Sequence, residues 1–133
     1  WRRAEIPAAN GHGNARSVAK IQAMLACGGE SQGVRLLSEE TAASVMRERI
    51  SGMDLVLGTP IAYGLGFGLN NPRAPLAPNP NVCYWGGWGG SVIVIDQDAR
   101  SSCAFVMNKM YQGLMGDPRS GALLQAFYAG LAG

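Results

Sequence analysis

Charge is what this sequence has least of. Charged side chains make up 15% of its 133 residues, where about 25% is usual for a globular domain. Eleven Lys and Arg against nine Asp and Glu leave a net charge of +2, and the basic residues are scattered along the chain. That balance speaks against nucleic acid or a polybasic membrane surface as a binding target. Histidine occurs once, as His12, and cysteine three times, as Cys27, Cys83 and Cys103, with no Cys-x-x-Cys and no Cys/His spacing suited to zinc. A metal site is therefore not expected. An odd number of cysteines leaves at least one unpaired, and small core residues are the simpler reading of all three; the compartment stays open. No apolar run approaches the roughly 18 to 20 residues that span a bilayer, and Trp1-Arg2-Arg3-Ala4-Glu5 lacks the hydrophobic stretch of a signal peptide. A soluble chain without a membrane span is the expectation.

Glycine is what the sequence has in excess. Its 19 glycines are about twice the average share, and the mean hydropathy is slightly positive at +0.04. A small domain has much surface to solvate, so few charges on such a chain suggest a surface that something normally covers. The length suits one core, and the chain begins with Trp. The expectation is a single unit, residues 1–133, cut from a larger protein; a complete but weakly charged domain is the alternative.

Hydrophobic spacing then places the elements. Val18, Ile21 and Leu25 recur at helical period, Asn14 or Ser17 can cap their helix, and Gly28-Gly29 ends it, giving a helix over 15–27. Ser38 caps a second helix, with Glu39 and Glu40 in its first turn and Arg47 and Arg49 in its last. Residues 50–61 read as loop. From Ala62 to Leu69, bulky Tyr63, Leu65, Phe67 and Leu69 alternate with Gly64, Gly66 and Gly68, the pattern of a strand with one bare face. Four prolines make 71–81 a surface loop. Residues 83–88, 91–96 and 101–108 read as strands, the last two joined by a turn at 97–100. Asp117-Pro118 opens a final helix whose apolar face is Leu123, Leu124, Phe127, Tyr128 and Leu131. The fold class is α+β: an antiparallel sheet of about three strands flanked by helices.

Trp85-Gly86-Gly87-Trp88-Gly89-Gly90-Ser91 is the most unusual string. Four glycines around two tryptophans, just before a hydrophobic strand, leave backbone N–H groups uncovered beside flat side chains, as an oxyanion-binding strand edge requires. The simpler alternative is a glycine-rich bend with both tryptophans in the core. That string, the following hairpin through Asp96, and Phe105-Val106-Met107-Asn108-Lys109-Met110 resemble the last third of the serine β-lactamase-like family, most closely its esterase and class C-like branch. Residues 6–17 and the first helix resemble the segment after that family's catalytic tyrosine. Tyr63-Gly64-Leu65-Gly66-Phe67-Gly68 resembles its Tyr/Phe-Gly-Leu-Gly-Phe strand.

The resemblance implies the C-terminal portion of a β-lactamase/transpeptidase-like fold. It implies that Trp85, Gly86 and Gly87 form the third catalytic motif and bind substrate, and that the backbone N–H of Trp88 is an oxyanion donor. Trp85 stands where β-lactam-hydrolysing members carry lysine, so a small ester or amide substrate is implied, with no metal or organic cofactor. His12 and Asn10 are further candidates for lining the cleft; a solvated loop histidine is the plainer reading of His12. Asp96 and Asp98 read as turn residues. The nucleophile and the tyrosine motif would lie in the missing N-terminal part of the same protein, which is the expected binding partner. Two rival functions stay open. One is a non-catalytic relative that keeps the fold for binding. The other is a self-sufficient small hydrolase using Ser17 and Lys20, a Ser-x-x-Lys on a helix; Ser17 lies in the first helical turn, where serine commonly caps.

Overall fold

Helix α1 (Ala15–Ala26) begins at a reciprocal cap. The Asn14 side chain accepts from the Ser17 N–H at 2.9 Å, and the Asn14 N–H donates back to Ser17 Oγ at 3.3 Å. The structure, a computed structural model, describes residues 3–9, 11–73, 75–113 and 116–133. Helix α1 ends as its sequence foretells, with Gly28 and Gly29 both left-handed (φ +73° and +90°) and Gly29 N–H donating to the Met24 carbonyl. A small hairpin with no clear sequence signal comes next, β1 (Glu30–Ser31) and β2 (Val34–Arg35). It turns through Gln32 and Gly33, both at positive φ, as tight two-residue hairpins require.

Helix α2 (Glu39–Ser44) is capped by Ser38, whose hydroxyl accepts from Thr41 N–H at 3.1 Å. It stops short of Arg47 and Arg49, against expectation. The N–H groups of Met46 and Arg47 bond only three residues back, and Arg49 N–H donates to the Tyr63 carbonyl at 2.8 Å, so pairing with the sheet takes over. The stretch read as loop holds a hairpin instead, β3 (Ile50–Met53) and β4 (Pro60–Tyr63). Asp54 builds its turn, its Oδ1 accepting from Val56 and Leu57 N–H at 2.9 and 2.7 Å.

The strand expected over 62–69 is in fact the end of β4, a turn, and β5 (Gly68–Leu69), with Tyr63 opposite Gly68. Left-handed Gly66 (φ +79°) allows the reversal. The glycine face is not bare either: a Cβ on Gly64 would overlap the Val45 carbonyl oxygen, and one on Gly68 would lie 3.1 Å from the Tyr84 ring. Strands β6 (Val82–Gly86), β7 (Val92–Asp96) and β8 (Ser101–Phe105) complete the sheet. It has six strands rather than three, in the order β3-β4-β5-β6-β7-β8, each antiparallel to the next.

Both faces of β7 are covered, which explains its unbroken Val-Ile-Val-Ile run. Ile93 and Ile95 face α1 and α2, in a cluster with Ala26, Val45, Leu69 and Cys83. Val94 faces the other way, among Val82, Ala77 and Leu124 of α3 (Pro118–Ala132). Each such aliphatic side chain stabilises the fold by roughly 1.5–3 kcal/mol. The buried Asp96 at the end of β7 gathers three elements: its Oδ2 accepts from Asn79 Nδ2 (2.8 Å) and from the Tyr128 hydroxyl of α3 (3.0 Å), and its Oδ1 from Ala99 N–H (2.8 Å). Burial and this carboxylate hold the Tyr128 phenol well above its ordinary pKa. Next to it Gln97 Nε2 donates to the carbonyls of Leu25 and Ala42, fastening α1 and α2 to the sheet. Asp98 accepts from Asn81, so both aspartates serve the turn region as their spacing suggests. No helix among the described residues is long and apolar enough to cross a membrane.

Candidate active site

Strand β6 runs out in glycine. Gly86 pairs with Val92, and Gly87 N–H donates to the Ser91 carbonyl at 2.9 Å. Gly90 N–H then closes on the Gly87 carbonyl at 3.1 Å, making a four-residue turn, Gly87–Gly90. Its third residue, Gly89, has φ +99°, the requirement of a type II turn. Trp88 is the second residue of this turn, whereas its sequence placed it at the end of the strand. The left-handed pair Gly89 and Gly90 (φ +111°) reverses the chain immediately after Gly87.

The consequence is exposure of side chain and main chain together. Trp88 is 72% exposed, and among the described residues its N–H makes no hydrogen bond. Trp85 is 39% exposed, so neither tryptophan is a core residue. Beneath the turn lies a cavity of about 350 Å3 whose lining includes Gly86, Gly87, Gly90, Ser91, Tyr84 and Leu124.

Trp85 has a neighbour that sequence reasoning missed. Its ring lies 5.8 Å from that of Tyr63, tilted by 48°, and the Tyr63 hydroxyl donates to Asp54 Oδ2 at 2.6 Å. That bond, with some help from burial, pushes the Tyr63 phenol up to about 12; the same bond, joined by the Leu57 and Val56 N–H donors and against the opposing effect of burial, holds the Asp54 carboxyl below its usual range. Tyr63 is thus a protonated, anchored wall beside Trp85. No local signal could have found it, because Asp54 and Trp85 come together only through the β3–β4 hairpin and the β5 pairing.

The other candidates are placed separately. His12 is exposed in the loop entering α1, a helix that packs on β7 and β8; Asn10 lies outside the described residues. The Ser17 hydroxyl donates to the Asn14 carbonyl at 3.0 Å and accepts from Asn14 N–H, so it is engaged in the α1 cap. All three cysteines are free. Cys83 is fully buried, and burial pushes its thiol up to about 12, away from thiolate chemistry. A wider cleft of about 670 Å3 at the opposite end of the sheet is lined by Cys27, Glu30, Arg35, Glu39 and Arg100, among others, and contains no residue of the glycine turn.

The sequence model of the family described as Beta-lactamase matches residues 1–126. The chain belongs to the β-lactamase family. It is 34% identical over 113 residues to the esterase/β-lactamase LipL of Mycobacterium tuberculosis (strain ATCC 25618 / H37Rv), a match covering 84% of this chain and 25% of that protein. A penicillin-binding protein homolog from Caulobacter crescentus superposes with a TM-score of 0.87 at 42% identity, over 97% of this chain and 35% of that one. A family VIII carboxylesterase does so with a TM-score of 0.87 at 40% identity, again over 97% and 35%. These neighbours share the mixed α/β architecture with its antiparallel sheet. The chain spans about a quarter of the curated relative and about a third of the two solved structures.

Proposed function

We propose that this chain is the C-terminal part of a serine hydrolase acting on carboxylic esters, in which it supplies one wall of the cleft and one oxyanion donor. The observation that carries the reading is the end of β6, bare backbone at Gly86 and Gly87 followed by a Trp88 N–H with no acceptor among the described residues. A serine on the remainder of the protein attacks the acyl carbon while its hydroxyl proton passes to a base on that same remainder, which later delivers it to the leaving alkoxide, and the carbonyl π electrons move onto oxygen. Trp88 N–H donates to that developing oxyanion. Collapse of the intermediate expels the alcohol, and water then releases the acyl group.

Trp85, Gly86 and Gly87 line the acyl path, with His12 on the loop before α1 and Asn10, two residues earlier in the sequence, as lesser contacts. A neutral indole at Trp85 cannot pair with a β-lactam carboxylate, which favours small esters or amides. The esterase and carboxylesterase among the relatives support this choice.

The remainder of the protein is also the proposed binding partner. Among the described residues, strand β8 ends the sheet with one edge unpaired, and Leu55, Val56, Leu36, Ile50 and Ile21 are all more than 60% exposed, a surface that suits burial against another segment. The isolated 133-residue chain should therefore show no hydrolysis of p-nitrophenyl acetate above background, and co-expression with the remainder of the protein should restore it. Robust turnover by the isolated chain, abolished by Ser17→Ala, would reverse the assignment in favour of Ser17 and Lys20.

A further inference from the structure

A turn with three glycines in four residues has little rigidity of its own, yet an oxyanion donor works only if its direction is fixed before the charge develops. The Gly87–Gly90 turn is held from outside, by the segment that joins β8 to α3. Tyr111 N–H donates to the Gly89 carbonyl at 2.7 Å. The methyl groups of Met107 and Met110 cover Gly89, where a Cβ would lie 3.1 and 2.8 Å from them. Asp117 sits flush against Gly90: a Cβ there would lie 2.9 Å from Asp117 Cβ and would overlap its carboxylate.

Asp117 is itself immobilised. Its side chain is fully buried. Oδ1 accepts from the Arg119 N–H at 2.8 Å, the cap of α3, and both oxygens accept from Arg119 Nε at 3.0 Å. A guanidinium NH2 of Arg119 adds a further bond to Oδ2 and one to the Lys109 carbonyl at 2.9 Å. The guanidinium also stacks 5.8 Å from the Phe105 ring centroid at the end of β8. One fork thus ties the helix start, the strand end and the connecting segment into a single support behind the turn.

We propose that Asp117, oriented by Arg119, is a positioning residue of the hydrolytic site, fixing Gly90 and through it the direction of the Trp88 N–H. This role rests on the reading of Trp88 as oxyanion donor. It extends beyond helix capping, and the two are separable, because asparagine caps as well as aspartate but cannot accept the charged bidentate fork.

The test uses Asp117→Asn in the full-length protein, with hydrogen exchange of the peptide covering 86–91 and steady-state hydrolysis of p-nitrophenyl acetate as readouts. Exchange in the turn should rise about tenfold, the equivalent of one lost charge-assisted bond. The rate constant kcat should fall by roughly 10- to 100-fold, as small misplacements of catalytic groups cost, with KM little changed. Tyr128→Phe, which loosens the far end of the same helix from Asp96, should lower the melting temperature and leave turn exchange and kcat unchanged. Arg119→Lys keeps the cap and the charge but loses the fork, and should reproduce the Asp117→Asn result if that variant folds poorly. Wild-type exchange and kcat in both Asp117→Asn and Arg119→Lys would overturn the positioning role while leaving the Trp88 assignment untouched. Faster turn exchange with unchanged kcat would overturn the donor assignment, and the positioning role with it.

Discussion

Trp88→Pro in the full-length protein is expected to slow acyl-enzyme formation by about 100- to 1000-fold, the usual cost of deleting one oxyanion donor, while Trp88→Phe remains near wild type. Proline removes the backbone N–H; phenylalanine keeps it and changes only an exposed side chain. The geometry makes this comparison cleaner than the sequence suggests. In a strand, proline would break a ladder bond and threaten the edge. Trp88 instead occupies the second position of a turn, where proline is favoured; it lies beyond the last ladder pair, Gly86 with Val92, and among the described residues its N–H has no bond to lose. Gly87, just before it, tolerates the restriction that proline imposes on its predecessor. Circular dichroism and thermal melting of the proline variant should therefore match wild type. A folded Trp88→Pro protein that acylates within a few-fold of wild type would mean that this N–H is not the donor.

The second large effect is structural. Asp96→Ala should destabilise the protein by about 3–4 kcal/mol, read as a shift in the urea midpoint. The carboxylate holds Asn79, Ala99 and Tyr128 together, and its removal strands donors in the interior at about 1–3 kcal/mol each. The Asn79 bond anchors the proline-rich loop and the Tyr128 bond anchors α3, so hydrogen exchange should rise in both. The glycine turn lies at the opposite end of β7 from Asp96. A folded Asp96→Ala protein should thus keep its acylation rate. A loss below about 1 kcal/mol would mean that water or a neighbouring side chain replaces the carboxylate.

How far the sequence foretells the fold depends on where each signal resides. Helix α1, with Asn14 and Ser17 at its start and Gly28-Gly29 at its end, is legible because caps are local chemistry. So are the β7–β8 hairpin, from its β-branched arms, and α3, from Asp117-Pro118. The same local logic draws attention to the Trp85–Ser91 string, which forms the end of β6 and an exposed glycine turn. It fails where backbone pairing across the sheet decides. Alternating glycines at 64, 66 and 68 imitate a strand; their actual reasons are the Val45 carbonyl, a left-handed turn and the Tyr84 ring. Helix α2 ends early because Arg49 pairs with Tyr63, and neither residue announces this in sequence. The roles of Tyr63, Asp54 and Asp117 depend on contacts made through the tertiary fold. Asp117 in particular reads as a plain helix cap until Gly90 is seen against it.

The most direct test of the Trp88 donor is a crystal structure of the full-length protein carrying a phosphonate ester analogue on its nucleophilic serine. The phosphonyl oxygen stands where the oxyanion develops. Donation from Trp88 requires that oxygen about 2.7–3.1 Å from the Trp88 nitrogen, with the acyl substituent lying along Gly86 and Gly87 beside Trp85. An oxygen directed away from Trp88 and held by other donors, with the Gly87–Gly90 turn intact, would contradict it.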